Sequence, residues 1–206
     1  MFLQLEADRR RSSRPSLCRC LLSFKTRMVK RKQSDAEALM KSKDFQGFLE
    51  EFQKENDRST AIIGAAFLDE HLKQLLTNFF VADAKEVAHL LSTESPLGSF
   101  GARIRAVYCL GLISREYFES LKIIKGIRND FAHQLHGLTF DDKNISNECK
   151  KLKPLQPIKS IVTQTPRQLF VTSTIFVLMD LSVRTFTILN KRRRTPNAPA
   201  VQEHFV

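Results

Sequence analysis

One short stretch of the chain, Ile127-Arg128-Asn129-Asp130-Phe131-Ala132-His133, gathers residue types that can cleave a phosphodiester without a metal. An imidazole can take the proton from a 2′-hydroxyl or return one to a leaving oxygen. Its ordinary pKa near 6.5 leaves both protonation states accessible around neutral pH. A guanidinium can hold the phosphate and stabilise the charge that builds in the transition state. Asn129 can orient the imidazole or bind a phosphate oxygen. No carboxylate or Cys/His cluster has metal-ligand spacing and no Gly-rich phosphate loop occurs, so neither metal nor cofactor is expected. The same residues also fit a structural role. His133 can cap carbonyls at the negative end of a helix, and Arg128 can pair with Asp130 or Glu119.

Spacing limits what one copy of this segment can do. On an ideal helix Arg128 and His133, five apart, point about 140° away from each other. Asn129 and His133, four apart, share a face. Convergence of Arg128 with His133 therefore needs a loosened helix end or a second copy, and a two-fold homodimer would bring two of each into one cleft.

The elements that must position this segment read as helices. From Asp35 to about Lys54, apolar residues recur at Ala36, Leu39, Met40, Phe45, Phe48, Leu49 and Phe52. Asp57-Arg-Ser-Thr60 offers capping residues for a helix over 60–81, whose apolar positions cover most of its circumference, as in the centre of a bundle. Lys85–Leu91 reads as a shorter helix, 92–98 as a loop, and Phe100–Leu112 as a helix again. Ser114 starts the helix that carries Arg128 and His133 to about Leu135, with Gly137 as its C-terminal cap. Residues 137–165 read as a long polar connection. Pro166 opens a last helix over 167–190, for which the many Val, Thr and Ile make strand the rival reading. The expected fold is all-α: an up-and-down bundle of about five to seven helices.

Charge divides the chain. Residues 1–33 carry ten Lys/Arg against Glu6 and Asp8, and 191–206 carry Lys191, Arg192, Arg193 and Arg194 against Glu203. These ends account for the whole net charge of +11, so 34–190 are neutral. Basic ends can hold nucleic acid loosely by counterion release, or can simply be solvated. The expected organisation is a basic N-terminal tail over 1–34, a helical domain over 35–190 and a basic C-terminal tail over 191–206. The first 27 residues are Arg- and Ser-rich, as in a transit peptide, and an overextended start before Met28 is the alternative to a true tail. Cys18, Cys20, Cys109 and Cys149 form no CxxC pair, Cys109 sits among apolar residues, and the thiols read as free in a reducing, cytoplasmic setting. No run of 18 apolar residues occurs, so no membrane span is expected.

The Arg-x4-His spacing, with a polar residue directly after Arg128, resembles the signature of the HEPN superfamily. That resemblance implies a helical bundle and, for many members, a metal-independent endoribonuclease working through a dimeric cleft. A second resemblance covers more of the chain. Ser95-Pro-Leu-Gly-Ser-Phe-Gly-Ala-Arg-Ile-Arg-Ala-Val-Tyr-Cys-Leu-Gly-Leu-Ile113 is similar to the turn and Arg-rich amphipathic helix of the mannitol operon repressor family. It continues through Tyr117 to His133 and reaches upstream to Phe67–Leu76, covering roughly 45–140. Glu70 falls there at an acidic position of the family, which makes it an accessory member of the site.

The two resemblances imply different functions. One is a regulatory protein acting on RNA through Arg128, Asn129 and His133. The other is a non-catalytic repressor of a sugar-alcohol operon, or a module that binds a regulatory protein partner; a small-ligand sensor using the same cleft is a third. No helix-turn-helix with an exposed basic recognition helix is legible, so direct DNA contact is expected to be weak or indirect. Arg103 and Arg105 read as a solvated face. His71 beside Glu70 reads as a satisfied bundle histidine, His89 has no evident partner, and His136, three residues after His133, reads as an accessory phosphate contact or a cap.

Overall fold

The computed structural model describes residues 47, 50, 52, 54–134, 137–152, 165–189 and 192–195. The described residues form six helices and no strand: α1 Asp57–Phe79, α2 Ala84–Leu90, α3 Phe100–Cys109, α4 Arg115–His133, α5 Lys143–Lys150 and α6 Pro166–Ile188. The expected helical bundle is what forms.

The centre of the bundle is the α1–α6 pair, which lie along each other, with α4 packed against α1. Thirteen of the 23 residues of α6 are buried, including the run Leu169–Met179. A helix buried on every side shows little amphipathic periodicity, which explains its strand-like look in sequence. Its start is well specified: the Thr165 hydroxyl accepts from the Gln168 amide, the Gln168 side chain accepts from the Thr165 amide, and Pro166 occupies the first turn. Among the described residues α6 is also the one helix long and apolar enough to cross a membrane, and 67% of its apolar window lies buried inside the fold. α1 approaches α6 closely because Gly64 lacks a side chain. A methyl there would come within 2.9 Å of the Phe52 ring and 3.2 Å of Thr174 Cγ2.

Several expected boundaries move, each for a visible reason. α1 starts at Asp57 and not Thr60, because Asn56 is the cap: its Oδ1 accepts from the Ser59 amide at 2.9 Å. Asp57 is thereby released for other work. Its carboxylate accepts from the Phe140 amide at 3.0 Å and from Arg167 Nη1 at 2.6 Å, tying the first turns of α1 and α6 to the segment before α5. α3 ends at Cys109 and not Leu112. Gly111, at φ +69°, lets the Leu112 amide bond to Val107 O and its own amide bond to Tyr108 O, a Schellman ending. Ser114 caps α4 as expected, accepting from the Tyr117 amide. α4 stops at His133 on an extended Gln134, so Gly137, also at positive φ, turns the following connection instead of capping the helix.

The polar connection contains a helix that sequence reading missed. α5 is short and mostly polar, and only Ile145 and Cys149, four apart, turn into the core. Aromatic rings continue that core in a line from Phe131 through Phe140 to Phe170, with centroids 5.0 and 5.1 Å apart. The Cys149 thiol is buried and Cys109 is exposed, contrary to its apolar sequence surroundings; Cys18 and Cys20 lie outside the described residues.

The start of the C-terminal basic segment is docked onto the bundle. Helix α1 ends without a basic residue in its last turn, leaving carbonyls that need donors. The Arg193 amide bonds to Phe79 O, Arg192 Nε to Phe80 O and Arg192 Nη2 to Val81 O. The Arg193 guanidinium lies over the Phe79 ring at 4.9 Å. Residues 1–46, which hold the whole basic N-terminal segment and the larger part of the expected first helix, lie outside the described residues; Gly47, Glu50, Phe52 and Lys54 of that expected helix are helical.

Candidate functional site

Helix α4 presents its polar side near its C-terminal end because Ile124, Ile127 and Phe131 anchor the opposite side in the core. Lys125, Arg128 and Asn129 then face a cavity of about 360 Å³ between α4, α1 and the first turn of α3. Its apolar wall comes from Ile62, Ala65, Ala66 and Phe100, and its rim from Ser99, Gly101 and Asp69.

Two of the expected site residues share this cavity. Arg128 Nη1 donates to Asn129 Oδ1 at 3.1 Å, so the guanidinium pairs with its neighbouring amide and not with Asp130 or Glu119. Glu119 is held instead by Arg115 and Lys122. His133 is exposed at the end of α4 and does not line the cavity; among the described residues no hydrogen bond joins it to Asn129. Within one chain, then, Arg128 and Asn129 come together and His133 stands apart, as five-residue spacing on a helix requires. Glu70 is exposed on α1, accepts from Gln74 at 3.3 Å and is absent from the cavity wall. His136 lies outside the described residues. His71 is satisfied as expected, its Nδ1 2.9 Å from Phe67 O in the preceding turn.

The acid that matters on α1 is Asp69, one residue before the one singled out. Arg103 reaches it from α3, Nη1 to Oδ1 at 2.6 Å. The expectation of a solvated face at Arg103 is overturned: the residue is buried, while Arg105 is exposed. Arg103 Nη2 also donates to Leu91 O at 3.1 Å and Gly98 O at 2.9 Å. One guanidinium thus fastens the 92–98 loop and the start of α3 to α1. Gly98 is required there because a methyl would fall 2.2 Å from Thr93 O and 2.3 Å from Ser92 O. Ser99 then caps α3 by accepting from the Ala102 amide at 3.1 Å. The turn and the Arg spacing were visible in sequence; that Arg103 faces inward follows only from its partners.

Gly101 has a further consequence. A methyl on it would come within 2.7 Å of Lys125 Nζ, so its absence lets the Lys125 ammonium lie against the first turn of α3.

Comparison with known proteins places the chain in a family. The chain is 28% identical over 92 residues to the mannitol operon repressor of Escherichia coli K12, and equally to that of E. coli O6:H1 strain CFT073. Each match covers 43% of this chain and 47% of the relative, so the chain spans about half the length of these curated relatives. The solved X-ray structure of the MtlR–HPr complex from E. coli is similar at 21% identity and a TM-score of 0.46, covering 78% of this chain and 99% of that one. The Mannitol repressor family model matches residues 36–187, nearly the whole helical region, and the chain belongs to that family.

Proposed function

We propose that this protein is a non-catalytic regulator that lowers expression of a sugar-alcohol operon by binding a protein partner in the cytoplasm. The observation that carries this reading is the family match across 36–187, which takes in every described helix except the last residue of α6. A neutral helical body supports action through another protein more than through DNA, since the excess charge lies in the terminal segments. Two arms test it. A mannitol-operon reporter should fall when the full chain is expressed, and HPr, used as bait, should retain the chain at physiological salt. An unchanged reporter overturns the regulatory reading, and a DNA fragment of the operon retaining the chain where protein bait does not would overturn the route.

A metal-independent ribonuclease built from Arg128, Asn129 and His133 of two subunits is the second reading. It is favoured by one feature: Arg128 and His133 are both exposed, as a cleft shared between copies would need. Incubation of the full chain with total RNA in EDTA, beside His133→Ala, tests it. Cleavage by the parent chain alone supports it; no cleavage, or equal cleavage by both, defeats it.

A further inference from the structure

We propose that the cavity between α1, α3 and α4 binds a compact phosphate monoester, with Lys125 and Arg128 holding the phosphate. The inference concerns ligand binding and stands whether or not the proposed regulation holds.

Two cations face one small cavity and neither has a carboxylate partner among the described residues. Arg128 spends one N–H on a neutral amide oxygen and keeps its remaining donors. The Asp69 carboxylate on the rim does not neutralise them, because Arg103 already takes it at 2.6 Å. The cavity and its mouth therefore carry an uncompensated charge of about +2, with Lys125 half-buried and Arg128 open to solvent, where an incoming anion meets it first.

The placement of Lys125 sharpens the point. Its ammonium lies against the first turn of α3, in the space Gly101 leaves open. That turn contains no acidic residue, and the start of a helix is itself electropositive. A cation against it gains nothing from the contact unless an anion sits between the ammonium, the guanidinium and the backbone amides. A dianionic group with several acceptor oxygens satisfies all three, and Arg binds such groups through paired N–H donors.

The remaining surface describes the body of the ligand. A volume of about 360 Å³ suits a small molecule. Ile62, Ala66 and Phe100 offer an apolar wall, while the Asn129 amide and the Ser99 hydroxyl give polar contacts at its edge. A phosphate carrying a short hydroxylated carbon chain matches that mixture.

Calorimetric titration of the full chain, at 0.15 M salt in a phosphate-free buffer, uses mannitol 1-phosphate, inorganic phosphate and mannitol as probes. The monoester should bind, inorganic phosphate more weakly, and uncharged mannitol not at all. Lys125→Gln and Arg128→Gln should each weaken monoester binding at least tenfold, while Arg105→Gln, on the exposed side of α3, leaves it unchanged. Thermal unfolding of each variant separates lost binding from lost folding. Absence of binding by either phosphate, or binding insensitive to both variants in the folded protein, overturns the proposal. Binding of inorganic phosphate without the monoester overturns the assignment of ligand class.

Discussion

Arg103 and Asp69 form the ion pair that joins α3 to α1, 2.6 Å apart, with the guanidinium only 8% exposed and the carboxylate 30% exposed. The same guanidinium holds two carbonyls of the segment leading into α3. Removing it strands a carboxylate and releases that segment in one step. Arg103→Leu should cost about 2–4 kcal/mol, somewhat less than breaking a fully buried pair because water still reaches Asp69. Urea unfolding measures the loss, and limited proteolysis should show faster cutting within 92–98. A variant with parental stability would mean that the pair and its carbonyl contacts carry no net weight.

Two glycines should respond in opposite directions. Gly98→Ala puts a methyl within 2.3 Å of two backbone oxygens, and backbone cannot move aside as a side chain can. It should lower stability by about 3 kcal/mol or more, as overpacking does at its worst. Gly126 sits within α4 with open space where a methyl would stand, so Gly126→Ala should raise stability by about 0.5–1 kcal/mol through helix propensity. Differential scanning calorimetry of the pair decides it, and shifts of the same sign would contradict the packing described.

Alkaline pH should destabilise the fold through two named groups. Burial first, then the Glu148 charge, pushes the Cys149 thiol from 9.0 up to about 12. Burial first, then Asp180, pushes the Tyr117 phenol from 10.0 up to about 12, against a lowering by Arg184. Both groups hold their protons more tightly folded than unfolded. The stability they allow is therefore fully present below about pH 9 and is lost progressively as the pH rises toward 12. Urea midpoints across pH 8–11 should fall, and Tyr117→Phe should fall less steeply above pH 10. Equal slopes for the two chains would remove Tyr117 from the account.

The thiols should also separate by reactivity. Cys109 is exposed at the end of α3, whereas Cys149 is buried against the core with its thiolate disfavoured. Brief alkylation at pH 8, mapped by mass spectrometry, should modify Cys109 and leave Cys149 intact until urea is added. Comparable labelling of both in the native protein would place α5 away from the core.

What the sequence determined alone is the helical class, the approximate extent of α1, α2, α4 and α6, and the turn before α3. Those features rest on local chemistry: apolar spacing along 60–80, Ser114 as a cap, Pro166 in a first turn, and the Pro-Leu-Gly loop ending at Gly98. It also singled out Arg128 and Asn129, which do meet in one cavity. Tertiary structure alone decided the rest. α5 has too few apolar residues to announce itself and exists because Ile145 and Cys149 find the core. Arg103 and Arg105 are the same residue type two positions apart, about 200° around the helix, so one is buried on Asp69 and the other is solvated. Arg192 and Arg193 look like free tail charges until the uncapped carbonyls of α1 are brought beside them. In each case the deciding partner lies on another element, and side-chain type carries no record of which distant group will stand opposite it.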